Sequence, residues 1–418
     1  MSDLTAASDG AVVASLKSRA AARPASQAAA GAYASLAALR GAMVLLVVAH
    51  HVATAYAGIM PGPMKAFPGA SGIWGAFPIV GVQHSPVFLA FIGLNDTFFM
   101  ALLFLISGVF AAGSLERRGA GGFAASRLLR LGIPFLIGAV LLAPLAYFPA
   151  YMQITGHADV GDFVNRWIGY TTRSSGPAWF LWVLLAFDLL AAALTFVARD
   201  WAAVIGRMLP DGGRRPLLLF LVLTLLSAAA YTPMAAAFGS SHWTTVWPFT
   251  FQTSRIFHYA VYFLVGAGLG AQGASLMAQD GGLRRGWWIW PFVAILAAIA
   301  GGAGAAVLAG KATGLSVPVR EVIGGLVFAP VCAALSFLCL AIFSRFVRRS
   351  GPFWKSLQAN SYGIFLVHYV FVNWVNYALL GSALNVWSDF AIAAGGAIAL
   401  SWMTAALLRR LPVAGRVL

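Results

Sequence analysis

Phe98-Phe99-Met100-Ala101-Leu102-Leu103-Phe104-Leu105-Ile106-Ser107-Gly108-Val109-Phe110-Ala111-Ala112 carries no charged side chain, and no charge appears after it before Glu116. The run is apolar on every side, with neither a polar stripe at helical spacing nor an alternation of period two. The core of a bilayer is about 30 Å thick and needs about 20 such residues per helix. Blocks of this kind recur from residue 33 to residue 408. Inside lipid the backbone must satisfy its own hydrogen bonds, which leaves helices or a closed barrel, and the missing alternation removes the barrel. Of the 418 residues, 61% are hydrophobic and 9% charged, whereas a soluble domain carries about 25% charged residues. The expected fold class is therefore all-α integral membrane. About ten transmembrane helices are predicted, at 33–57, 91–113, 131–153, 177–198, 216–238, 254–272, 287–309, 321–343, 359–381 and 387–408.

A net charge of +15 raises the question of a nucleic-acid partner, and its distribution answers it. With the N-terminus placed inside, 21 of the 27 Lys and Arg fall on the inner side. Lys65, Arg166, Arg173, Arg255, Lys311 and Arg320 remain outside or in helix ends. That asymmetry is the positive-inside rule, so the basicity is topological and no nucleic-acid partner is expected. Both termini are placed in the cytoplasm. Residues 1–32 read as a disordered cytoplasmic tail rather than a cleaved signal peptide, 33–408 as the membrane domain, and 409–418 as a short cytoplasmic tail. Cys332 and Cys339, seven apart on one helix and about 10 Å apart along its axis, cannot bridge and read as core packing. The loop 58–90, with Pro61, Pro63, Pro68, Pro78 and Pro86, reads either as a lid at the membrane surface or as an irregular connector. His242, Trp243, Trp247, Pro248 and Phe249 read as an interfacial aromatic belt.

Ionisable residues within spans cost about 2.5–3.5 kcal/mol each on insertion scales and are functional candidates by default. Here they are Arg40, His50, His51, Asp96, Asp188, Arg255, His258, Glu321 and His368. Arg40 and His51 are eleven apart, so they face within about 20° of each other and are about 16 Å apart along the axis. His50 turns about 80° away on the other side. An anion clamp at the mouth with a general base at depth would use that arrangement, histidine having an ordinary pKa of about 6.5; a snorkelling anchor and a packed histidine would also use it. Arg127 and Arg130, three apart, are expected to share a helix face, which suits phosphate as well as the positive-inside rule. Ser361 and His368 lie two turns apart on nearly one face, for chemistry or for packing. Asp188 is expected to pair with a histidine of the first helix. Asp96 is expected to do the same or to cap its helix. Arg255, His258 and Glu321 are expected near outer helix ends, where solvation is cheap.

Leu39-Arg40-Gly41 with His51, Phe98–Gly108 ending Leu105-Ile106-Ser107-Gly108, Arg127–Leu131, Trp179-Phe180-Leu181-Trp182 and Ser361–His368 together resemble the acyltransferase-3 family of membrane O-acyltransferases. The branch that modifies periplasmic glucans is among the nearest, and the resemblance spans about residues 35–408. It implies transfer of an acyl group from cytoplasmic acyl-coenzyme A to a hydroxyl of a glycan, lipid or small molecule. It implies Arg40 and His51 as the signature pair, His51 as the group that deprotonates the acceptor hydroxyl or assists transfer, and Arg127 and Arg130 as the grip on coenzyme A phosphates. Beside these, His50 and Asp188 are expected to join His51 in the catalytic set, and Ser107 to join Arg40 and the arginine pair in the donor-binding set. Asp96, Trp182, Ser361, Tyr362 and His368 are left to substrate contact or structural support. No metal and no tightly bound cofactor are expected, acyl-CoA being a co-substrate, and the location implied is a bacterial inner membrane. The chain departs from many members in having no appended hydrolase-like domain. A small-solute exporter or flippase is the rival reading; it would also use midplane charges, but it should show matched broken helices.

Overall fold

The computed structural model describes residues 31–59, 78–169, 174–278, 280–309, 314–347, 351–412 and 414–417. Helix α1 (Gly31–Tyr56) closes in a tight 3-10 turn, Thr54–Tyr56. α2 (Pro86–Arg127) leads through a π turn (Leu128–Gly132), a short α3 (Ile133–Ile137) and a second π turn (Gly138–Leu142) into α4 (Ala143–Thr155). Then come α5 (Val160–Gly169), α6 (Trp179–Val197), α7 (Trp201–Met208) and α8 (Pro216–Phe238). α9 (Ile256–Ala271), α10 (Ile289–Ala309), α11 (Val317–Phe346), α12 (Pro352–Ala378) and α13 (Val386–Leu408) follow.

A helix overlaps each of the ten expected intervals. By length and hydropathy, however, seven helices among the described residues suffice to cross a membrane, or eight if the bent pair Thr253–Ala271 and Ser275–Arg285 is one span. Beyond that bent pair, two causes account for the difference. Pro86–Thr155 is one run of 70 residues, and the basic loop expected between the second and third helices is itself helical. The run is broken by Gly119, whose φ of 68° and ψ of 169° lie in a region open essentially to glycine alone. The second cause is α12, which is absent from the seven: its Lys355, Gln358, Asn360, Ser361, Asn373 and Asn376 lower its hydropathy, and four of them are buried against protein. Residues 1–30 and 60–77, which hold most of the expected tail and lid, lie outside the described residues.

An all-helical chain is not quite what folds. Trp243–Val246 and Phe249–Gln252 form an antiparallel hairpin, with Trp243 opposite Gln252 and Val246 opposite Phe249. Its β-branched and aromatic residues favour a strand, and the expected aromatic belt is mostly this hairpin. The Trp182 indole fastens it by donating to Thr250 O at 2.8 Å.

α9 packs along α2, α13 along α12, and α11 against α8 and α10. At the α2–α9 seam a Cβ on Gly108 would strike Phe263 O, one on Gly266 would strike Leu105 O, and one on Gly270 would come within 2.5 Å of Val109 O. The two backbones therefore touch, as small residues permit between membrane helices. Side-chain bonds identify the two ends of the bundle. Gln358 donates to Ala34 O and Ser35 to Val347 O, while Arg409 reaches Asn360; this is the basic end. At the far end Gln153 both donates to Val80 O and accepts from Val80 N, and Gln83 donates to Leu384 O.

Candidate active site

Residue by residue, α1 and α12 bring three histidines together. The His51 ring lies 5.2 Å from that of His50, 5.4 Å from that of His368 and 5.0 Å from Tyr369, centroid to centroid. His50 also packs on Phe99 of α2 at 4.9 Å. His368 is fully buried and His50 is 7% exposed. His368 Nδ1 lies 2.6 Å from Phe365 O. A carbonyl only accepts, so Nδ1 carries the hydrogen and donates it, leaving the basic lone pair on Nε2. That Nε2 is buried without a hydrogen-bond partner, and so are Nδ1 of His50 and Nδ1 of His51. Buried polar atoms are nearly always paired, so a cluster of unpaired ring nitrogens calls for a functional reason. Proton transfer to or from a bound group is one that imidazoles serve. Among the described residues no three His, Cys, Asp or Glu side chains converge as metal ligands would.

Arg40 sits on α1 eleven residues before His51, its guanidinium 5.6 Å from the centre of the Phe110 ring of α2. Ser107, part-exposed, lies one turn before Phe110 on that helix. A narrow apolar cleft of about 20 Å³ opens beside Tyr369. Gly138 and Leu142 of the second π turn, Leu181, and Phe365 and Tyr369 of α12 line it.

Several sequence expectations are corrected. Asp188 does not pair with a histidine of α1: its carboxylate lies 3.2 Å from Arg127 Nε, and it is 2% exposed in its side chain. Arg127 is consequently committed to Asp188 and to the Phe123 ring at 4.8 Å, whereas Arg130 is exposed. Between them the π turn at Leu128–Gly132 replaces the i→i+4 bonding on which the three-residue rule depends. Asp96 is no cap either. α2 starts ten residues earlier at Pro86 and is capped by Ser85, which accepts from Val87 N. Asp96 instead binds Arg255 twice, its carboxylate accepting from Nη2 at 2.8 Å and its backbone carbonyl accepting from Nη1 at 2.7 Å. Arg255 and His258 are not at a solvated rim; they are 7% and 0% exposed.

Ser361 donates to Gln358 O within its own helix, and the Tyr362 hydroxyl donates to Arg130 O, tying α12 to the first π turn. Tyr369, which touches His51 directly, was missed; its only signal is that it follows His368 on the same helix.

A family model described as an acyltransferase domain matches residues 33–406, nearly the whole membrane part. Neither the curated proteins nor the solved structures returned a significant match.

Proposed function

We propose, from the premise that this chain belongs to that acyltransferase-domain family, that it is an O-acyltransferase moving an acyl group from cytoplasmic acyl-CoA to a hydroxyl of a glycan, lipid or small molecule. The observation that carries the reading is the set of unpaired nitrogens on His50, His51 and His368. His51 takes the proton of the acceptor hydroxyl as its oxygen attacks the thioester carbon. The carbon–sulfur bond then breaks, and the coenzyme A thiolate leaves with that proton. Arg40, at the basic end of the same helix, holds donor phosphate, and Arg130 lies exposed at the same end. The apolar cleft beside Tyr369 takes the acyl group. The basic end faces the cytoplasm with both termini, the ten helical intervals each cross, and the membrane is a bacterial inner membrane.

The test is mass spectrometry of lipids and envelope glycans from a strain lacking this protein, rescued with the wild type or with His51→Ala. The expected outcome is an acyl-sized mass lost on deletion and restored by the wild type alone. Equal rescue by His51→Ala removes that residue from the chemistry. If no acylated species changes, the exporter or flippase reading takes over.

A further inference from the structure

Between the far ends of α8 and α11 lies an open cavity of about 520 Å³, within the range of small-molecule sites. Tyr231 of α8, Ser240 after it, Arg255 before α9, and Arg320, Glu321 and Phe328 of α11 are among its walls. None of its described walls belongs to α1 or α12, so the cavity is separate from the histidine cluster. Bonds within the walls fix its shape. The Glu321 carboxylate accepts from Ser240 N at 3.1 Å, and Ser240 O accepts from Ser254 Oγ at 2.9 Å and from Gln252 Nε2 at 3.3 Å. The rings of Tyr231 and Phe328 meet at 4.4 Å, centroid to centroid.

Charge decides what such walls can hold. Arg255, 7% exposed, spends both terminal nitrogens on Asp96, yet its Nε is buried without a partner. Arg320 is part-exposed and forms no ion pair among the described residues. Glu321, the next residue, has given one carboxylate oxygen to Ser240 N and keeps the lone pairs of the other. Two arginines and a carboxylate thus share one cavity. A simple anion would meet Glu321 there, and a simple cation would meet the arginines. A ligand that carries both signs answers all three. Phosphate is the anion that guanidinium groups hold best, and a primary ammonium can donate to a carboxylate where a quaternary one has no N–H to give.

The lip of the cavity is apolar. Val317, itself a wall, is 59% exposed. Phe238, 50% exposed, follows Tyr231 by seven residues and so lies within about 20° of it around α8. Such a lip at the end of a membrane bundle suits a ligand whose remainder stays in the bilayer. We infer that this cavity binds the phosphoethanolamine headgroup of a phospholipid, with its phosphate on Arg320 and the free Nε–H of Arg255 and its ammonium on Glu321. The site stands apart from acyl transfer and does not depend on that reading.

The test places the full chain in phosphatidylcholine nanodiscs doped equally with phosphatidylethanolamine and phosphatidylglycerol, and reads the lipid retained by native mass spectrometry. Phosphatidylethanolamine is expected to be retained above the other two. Arg320→Gln and Glu321→Gln should each lower that retention by about tenfold, the loss of a charged hydrogen bond. Glutamine at 321 still offers Ser240 N an acceptor, and melting temperature is the control for folding. Lipid that merely surrounds the protein would be retained alike by wild type and variants. Free O-phosphoethanolamine, added at the concentration of the doped lipid, should leave the bound lipid in place. Retention of phosphatidylglycerol equal to that of phosphatidylethanolamine, unchanged retention in both well-folded variants, or displacement by free O-phosphoethanolamine would overturn the inference.

Discussion

His368 and His258 are both fully buried, and they live in opposite circumstances. His258 has a neighbour for each ring nitrogen: Ser227 Oγ 2.8 Å from Nδ1 and Cys332 Sγ 3.6 Å from Nε2. Beside it Arg255 is committed to Asp96 and lies 4.8 Å from the centre of the Phe328 ring. The α1–α12 cluster leaves one nitrogen on each of His50, His51 and His368 with no partner. Burial therefore does not separate a structural histidine from a chemical one. On the reading proposed above, completion of its hydrogen bonds does, because an unpaired buried polar atom costs about 1–3 kcal/mol.

The strongest way to break that contrast is to truncate both histidines in parallel. His51→Ala should lower transfer by about 10²–10⁴-fold, the contribution typical of a general base, with little change in melting. His258→Ala should do the reverse, losing about 1–3 kcal/mol of stability by stranding its partners while turnover per folded molecule holds. Thiol release from acyl-CoA and a thermal melt on the same preparations read both. A dead but stable His258→Ala would dissolve the distinction.

A smaller effect sharpens it at the basic end. Asp188→Asn removes the charge that pairs with Arg127, one partner of which is buried, and should cost about 1–3 kcal/mol, less than a fully buried pair would. Arg130→Gln, at an exposed residue, should leave stability alone and raise the KM for acyl-CoA. Equal melting of wild type and Asp188→Asn would mean that the pair is not structural.

The smallest effect belongs to the exposed cluster on α5, where screening by water is strongest. Hydrogen bonds from Tyr151 and then from Arg166 hold the Asp162 carboxyl below its ordinary value. Its stabilisation is accordingly full above the unfolded pKa of about 4 and is lost as pH falls through the lowered folded value. Protection from hydrogen exchange over 157–169, after division by the intrinsic rate at each pH, should fall in acid for wild type, and Asp162→Asn should lack the transition.

The positions of the helices were legible because hydropathy is a local property of a helix. The partners of Asp188 and Asp96 were not. Each pairs with an arginine from another helix, Arg127 and Arg255, and nothing in spacing along one helix reveals its neighbour. The π turns at Leu128–Gly132 and Gly138–Leu142 leave no mark in the sequence, yet the first changes the helical turn on which the Arg127–Arg130 spacing rests. α12 read as a helix, but its asparagines look like poor membrane residues until they are seen bonded to Ala146 O and Val52 O.

The glycine seam between α2 and α9 also bears on how the chain is made. Gly108 enters the bilayer long before Gly266 and Gly270 are synthesised, and the helices between them pass first. α2 must wait in lipid with its small-residue groove facing acyl tails, and the bundle cannot finish by zipping neighbours together in order of synthesis. A substitution at Gly108 would accordingly strike first at biogenesis, as a shortfall of assembled protein in the membrane, before any assay of turnover registered it.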